Sequence, residues 1–232
     1  MKKLILLSLV SILFTTCSPQ KPIEASRFPL EKGTTWVYSY EAYDPSPSDP
    51  TQVIKAMYQL TDTIVETETV SNYVVAHVKR ERELIKADAG WAQDISSPPN
   101  EFWYVRSNQR LFQSNFPLDT ANINPDELIL DYEFPLSIKK NWCLLPDNRK
   151  SDVSQNTAGC DFVGRREVTD QGRYETPAGN FENCYDLIDI YNGGNILQKF
   201  CDGVGIVYMK FDHVGTRFGF EQTLIRYSKG KP

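Results

Sequence analysis

Apolar and polar positions alternate with a period of two along most of the chain, and no long stretch sustains the 3.6-residue period of an amphipathic helix. Trp36, Tyr38 and Tyr40 alternate with Val37, Ser39 and Glu41. Tyr58, Leu60, Asp62 and Ile64 alternate with Met57, Gln59, Thr61 and Thr63, and Val207, Met209 and Phe211 alternate with Tyr208, Lys210 and Asp212. Such segments are half-buried strands, one face on a core and one in water. Further strands are expected over 73–84, 101–106, 110–114, 162–169, 184–191, 196–201 and 218–227. Turn residues separate them at short intervals, which favours antiparallel hairpins over βαβ units. Pro45, Pro47 and Pro50 make 44–51 a loop, because proline cannot donate to a central ladder. Asn124 followed by Pro125 can open one short helix. The expected fold is mainly β, a curved antiparallel sheet forming a partial barrel, with a β-sandwich as the alternative and few or no helices.

One hairpin carries a geometric consequence. Asn192-Gly193 is a type I′ turn signal, and Cys184 and Cys201 lie symmetrically about it. If Tyr191 and Gly194 close the turn, the two cysteines face each other at a non-hydrogen-bonded position, where side chains approach most closely. A Cys184–Cys201 disulfide is therefore predicted. Elimination then assigns Cys143 to Cys160, each bridge closing a loop of about 16 residues. No cysteine pair has the C-x2-C spacing of a zinc site, and neither His77 nor His213 has a companion histidine or cysteine at i+4.

A second pattern is an internal echo. Phe28-Pro29-Leu30 is followed six residues after the leucine by Trp36, and Phe134-Pro135-Leu136 is followed at the same spacing by Trp142. The tripeptide fixes an extended lead-in, a turn follows, and the tryptophan begins a strand with its ring in the core. The first of these lead-ins, FPLEKGTTWVYSY, together with TPAGNFENCYDL and CDGVGIVYMKF, resembles a family of uncharacterised bacterial secreted proteins and lipoproteins with FPL…G-x-x-W and TPAG-x-FENC…GVG motifs. The matches span Phe28 to about Phe211. Lys139 stands at the glycine position in the second copy, and Cys201-Asp202 precedes GVG where the family more often has Ala-Pro. The resemblance implies a β-rich extracytoplasmic domain and brings no catalytic residues with it.

The first residues read as an address. Lys2 and Lys3 precede the apolar stretch Leu4 to Phe14, too short to span a bilayer and shaped like a signal peptide. Leu13-Phe14-Thr15-Thr16-Cys17 resembles a bacterial lipobox, which implies acylation at Cys17. The expected organisation is a signal peptide at 1–16, a lipidated cysteine and polar tether at 17–27, and one β-rich domain at 28–232. The protein is then anchored to the bacterial cell membrane or outer membrane; the alternative is a secreted soluble protein.

Composition narrows the function classes. The 232 residues carry 30 acidic and 25 basic side chains, a net charge of −5, with no basic stripe for a phosphate backbone, so nucleic acid is not an expected partner. There is no G-x-S-x-G elbow, and Ser137-Ile138-Lys139-Lys140 follows an extended Phe-Pro-Leu rather than opening a helix. Gly203-Val204-Gly205 lacks the third glycine of a dinucleotide fingerprint and reads as the start of a strand or a bulge. Lys79-Arg80-Glu81-Arg82-Glu83 reads as a solvated strand end. No cofactor or metal is expected. The 12 Tyr, 12 Phe and 4 Trp supply candidate core or ligand aromatics, in particular Trp36, Tyr38, Tyr40, Trp103 and Trp142. The expected function is non-enzymatic binding or carriage of a small apolar or glycan ligand. An interaction module of the cell envelope is the alternative, and a carboxylate-dependent hydrolase the weaker one.

Overall fold

A computed structural model describes residues 28–91, 99–144, 164–191 and 193–231. The expected signal peptide, tether and Cys17 lie outside these residues, as do Cys160 and the turn residue Asn192.

Twelve strands make one antiparallel sheet. The first six are β1 (Thr35–Pro45), β2 (Val53–Val70), β3 (Tyr73–Ala87), β4 (Glu101–Arg106), β5 (Arg110–Ser114) and β6 (Ile129–Glu133). The second six are β7 (Asn141–Cys143), β8 (Arg165–Thr176), β9 (Gly179–Tyr191), β10 (Gly194–Cys201), β11 (Gly205–His213) and β12 (Gly219–Ser228). Within each half every strand pairs with its chain neighbours, and β12 pairs with β1, so the edges of the sheet are β6 and β7. The sheet curls into a barrel that is stitched where the chain begins and ends and unsealed at mid-chain. A backbone hydrogen bond of 2.8 Å from Leu130 to the carbonyl of Leu144 crosses that seam. The partial barrel is the expected fold, and among the described residues two one-turn 3-10 segments, Thr120–Asn122 and Pro125–Glu127, are the helical elements.

The period-two pattern determines which face turns inward. Trp36, Tyr38, Tyr40 and Ala42 of β1 and Ala56, Tyr58, Leu60 and Ile64 of β2 are buried, while Ser39, Glu41, Gln59 and Thr61 lie on the outer face. An apolar interior and a polar exterior is the reverse of a lipid-facing barrel. Each buried ring removes apolar area from water at roughly 25 cal/mol per Å², and these rings dominate the core.

The echo proves to be a structural duplication. Thr34 donates to the carbonyl of Glu31 (3.0 Å) as Lys140 does to that of Ser137 (3.0 Å). Gly33 donates to Ile64 as Lys139 does to Val168, both at 2.8 Å, and Ile64 and Val168 donate back to Thr34 and Lys140. Lys139 (φ 70°) adopts the left-handed conformation of Gly33 (φ 84°). The two Phe-Pro-Leu segments fill one end of the barrel: Phe28 and Phe134 approach Phe200 at 5.8 and 5.9 Å between centroids, and the Trp36 indole donates to the carbonyl of Val204 at 2.7 Å. Gly205 is required there, because a Cβ would stand 2.7 Å from the Phe28 ring. That end is closed, and both Phe28 and the end of β12 lie at it, Thr35 pairing with Ser228.

The hairpin prediction is met. Gly194 pairs with Tyr191 and Cys201 with Cys184, and the two cysteines form a disulfide with Cα atoms 4.0 Å apart. Cys143 is also disulfide-bonded; its assigned partner, Cys160, lies outside the described residues. The tip of the β8–β9 hairpin curls over the outer face, bringing Tyr174 to within 6.0 Å of Tyr208 on β11. Several boundaries differ from expectation. The strand expected over 162–169 is β8, which runs on to Thr176, and β9 begins at Gly179 because Thr176-Pro177-Ala178-Gly179 is itself a tight turn. β6 lies outside the expected strands; its alternation, Leu130 and Tyr132 inward between Ile129, Asp131 and Glu133, covers only five residues.

Candidate ligand-binding site

The end opposite the Phe-Pro-Leu plug holds a cavity of about 390 Å³ inside the barrel. Strand direction explains its position. The lining residues Phe211, Phe218 and Phe220 flank the β11–β12 turn, Pro99 precedes β4 and Gln113 lies near the end of β5, while the lining reaches down to Tyr104, whose ring packs on Phe28 at 5.0 Å between centroids. Tyr40 stacks on Phe220 at 5.2 Å between centroids, and Phe211 contacts Phe220 at 5.8 Å and Phe218 at 5.6 Å. Ile196, Ile206 and Met209 complete the apolar wall.

The polar members of the lining come from the sheet face that also supplies the core. Asp62 and Arg80 are register partners on β2 and β3, and the guanidinium gives the carboxylate two bonds of 2.6 Å each. Their side chains are 6% and 14% exposed, and the Arg80 guanidinium also lies 5.1 Å from the centre of the Phe102 ring. Burial opposes the charge on Arg80, but Asp62 holds its pKa above the usual value. The solvated-strand reading of 79–83 is therefore corrected at Arg80, whose side chain turns inward to meet Asp62. Residues 81–83 are exposed as expected.

Three further polar side chains face this space. Gln222 is 6% exposed, Tyr104 9% and Tyr40 5%, and among the described residues none of the three makes a side-chain hydrogen bond. Tyr38 donates instead to the carbonyl of Ile206 at 3.1 Å. Burial pushes the Tyr40 hydroxyl up to about 12, and it raises Tyr38 and Tyr104 as well, so all three are neutral donors in water near neutrality.

Of the aromatics singled out from sequence, Tyr38 and Tyr40 line the cavity. Trp36 belongs to the plug, its ring 6.2 Å from that of Phe28. Trp103 stacks on His77 at 4.6 Å, away from the cavity lining. Trp142 is buried on β7, its indole nitrogen without a hydrogen-bond partner among the described residues. Sequence reasoning missed Asp62, Arg80 and Gln222. The available signal was Asp62 itself, an acid placed on the apolar face of a strand that otherwise alternates cleanly.

A second buried network lies across the barrel and outside the cavity lining. Arg166 on β8 gives Asp189 on β9 two bonds of 2.5 and 2.7 Å, and donates a third to the backbone carbonyl of Asp131 at 2.5 Å. Gln198 donates to Asp189 at 3.2 Å and accepts from Tyr132 at 2.7 Å, while Arg166 lies 4.8 Å from the centre of the Tyr132 ring. Burial pushes the Asp131 carboxyl up to about 6, against the pull of Arg166. Since Asp131 stands on the edge strand β6, Arg166 ties that edge to β8 where β7 does not seal it. Asp186 faces outward to Lys199, opposite to Asp189, as odd spacing on a strand requires. Among the described residues no cluster of His, Cys, Asp and Glu is arranged to hold a metal ion, and no helix is long and apolar enough to cross a membrane.

No protein-family model matches the chain, and no curated protein matches it. Two solved structures are similar to it. A predicted lipoprotein from Parabacteroides distasonis ATCC 8503 aligns over 90% of this chain and 100% of its own, with 14% identity and a TM-score of 0.47. A predicted exported protein with a YmcC-like fold from Bacteroides fragilis NCTC 9343 aligns over the same shares, with 14% identity and a TM-score of 0.43.

Proposed function

We propose that this chain is an extracytoplasmic, lipid-anchored binding protein whose barrel holds a small molecule in its open end, without catalysis. The observation that carries the reading is the cavity of about 390 Å³ behind Phe211, Phe218 and Phe220, which contains buried polar side chains with no hydrogen-bond partner among the described residues. A mostly apolar concavity with a few placed polar groups is the ordinary form of a ligand site. The signal at 1–16, acylation at Cys17, and a tether at 17–27 leading to one domain at 28–232 belong to the same proposal and rest on sequence. The tether's root-mean-square reach of roughly 16 to 19 Å keeps the barrel close to the membrane that holds it.

Native mass spectrometry of residues 18–232, secreted into an oxidising compartment and purified without detergent, tests the reading. A discrete added mass is expected, and it should be absent from Met209→Trp, which fills the cavity opposite Gln222. A clean spectrum for the parent protein overturns the carrier reading in favour of an interaction module of the envelope.

A further inference from the structure

We infer that the ligand is an uncharged amphiphile, bound with a hydroxyl or amide head at the buried polar floor and its apolar body toward the Phe211–Phe218–Phe220 rim; this rests on the cavity being a binding site. Charge is the first argument. Asp62 and Arg80 are the charged side chains of the lining, and they neutralise each other through two 2.6 Å bonds. Among the described lining residues, a cation or anion entering this space meets no uncompensated counter-charge and still loses its hydration.

Donor and acceptor capacity is the second argument. Gln222 offers a carbonyl and an amide NH2, neither of them bonded among the described residues, and Tyr40 and Tyr104 offer hydroxyls in the same condition. A primary amide or a hydroxyl can both give to and take from such groups. An unfunctionalised hydrocarbon would leave them unsatisfied, at a cost that favours a polar head.

Depth is the third argument. The polar lining residues Asp62, Gln222, Tyr40 and Tyr104 are buried, whereas Phe218, Phe220, Ile196 and Met209 are only half-buried. The gradient runs from apolar rim to polar floor, so a ligand that matches it enters head first.

A series with one apolar body and three heads tests the inference: octanamide, octanoate and octylammonium, titrated calorimetrically into residues 18–232, which contain every described strand. Octanamide is expected to bind at least about 30-fold more tightly than either ion, the difference set by desolvating an unpaired charge. Gln222→Leu should weaken octanamide by about tenfold, the value of one lost hydrogen bond, with an unchanged melting temperature because the glutamine has no partner to lose. Three results would overturn the inference. These are an ion that binds as tightly as the amide, a Gln222→Leu variant that binds octanamide like the parent, and a parent protein that does not bind octanamide. In each case the carrier reading stands or falls separately on the added mass and its loss in Met209→Trp.

Discussion

Asp62 and Arg166 occupy equivalent positions in the two halves of the barrel and carry opposite charge. Each stands two residues before the strand residue, Ile64 or Val168, that exchanges hydrogen bonds with the turn after Phe-Pro-Leu. Each is paired in register with its counter-ion on the next strand, Arg80 or Asp189. The duplicated scaffold thus accepts the ion pair in both orientations.

That equivalence predicts the outcome of a charge swap. Asp62→Asn or Arg80→Met alone should cost about 3–5 kcal/mol, because each leaves a buried charge without its partner. Asp62→Arg combined with Arg80→Asp reproduces the order found at Arg166 and Asp189, and should recover more than half of the loss. Urea unfolding of the three variants reads this directly. A double variant no more stable than the singles would show that the two pairs are not interchangeable.

Lys139 is strained where Gly33 is not. A side chain in the left-handed region costs about 1–2 kcal/mol, part of which glycine gives back through its freer unfolded chain. Lys139→Gly is expected to stabilise the fold by about 0.5–1 kcal/mol, seen as a higher urea midpoint at unchanged slope.

The two lead-in tryptophans should respond differently to the same substitution. Trp36→Phe strands the carbonyl of Val204, a penalty of about 1–3 kcal/mol beyond the lost ring area. Trp142→Phe removes an indole nitrogen that has no partner, so only the change in packing remains. Equal losses of stability in the two variants would contradict the hydrogen-bond assignment.

The Asp131 carboxyl, pushed up to about 6 by burial, gives stability a pH dependence of defined sign. The folded protein holds this proton more tightly than the unfolded chain does. The contribution is therefore full below about pH 4, the ordinary carboxylate value, and is lost as the pH rises toward 6. Relative to Asp131→Asn, the parent protein should lose stability between those limits, with parallel behaviour elsewhere. Parallel curves throughout would mean that Asp131 ionises normally in the fold.

How much of this was legible beforehand depends on distance along the chain. The strands, the Cys184–Cys201 bridge and the repeated lead-in are local patterns: alternation, symmetry about Asn192-Gly193, and a fixed Leu-to-Trp spacing. The polar floor is not local. Arg80 looks solvated among Lys79, Glu81, Arg82 and Glu83, and turns inward only because register on β2 places Asp62 beside it. Gln222 is a lone amide in a polar stretch of β12 until Tyr40 and Met209 flank it from two other strands. β6 is only five residues long, too short for its alternation to stand out, and Arg166 of the other half ties it in place. Short-range rules describe the walls, and the contents of the barrel require its closure.

The plug at one end has a consequence for traffic. The chain reaches the barrel at the Phe28 end and leaves it there after β12, while the cavity mouth lies at the other end. Tethered through the residues before Phe28, the barrel would stand on its sealed base with its opening turned to the aqueous side. In the anchored carrier proposed above, a cargo would then exchange at the end of the barrel remote from its attachment.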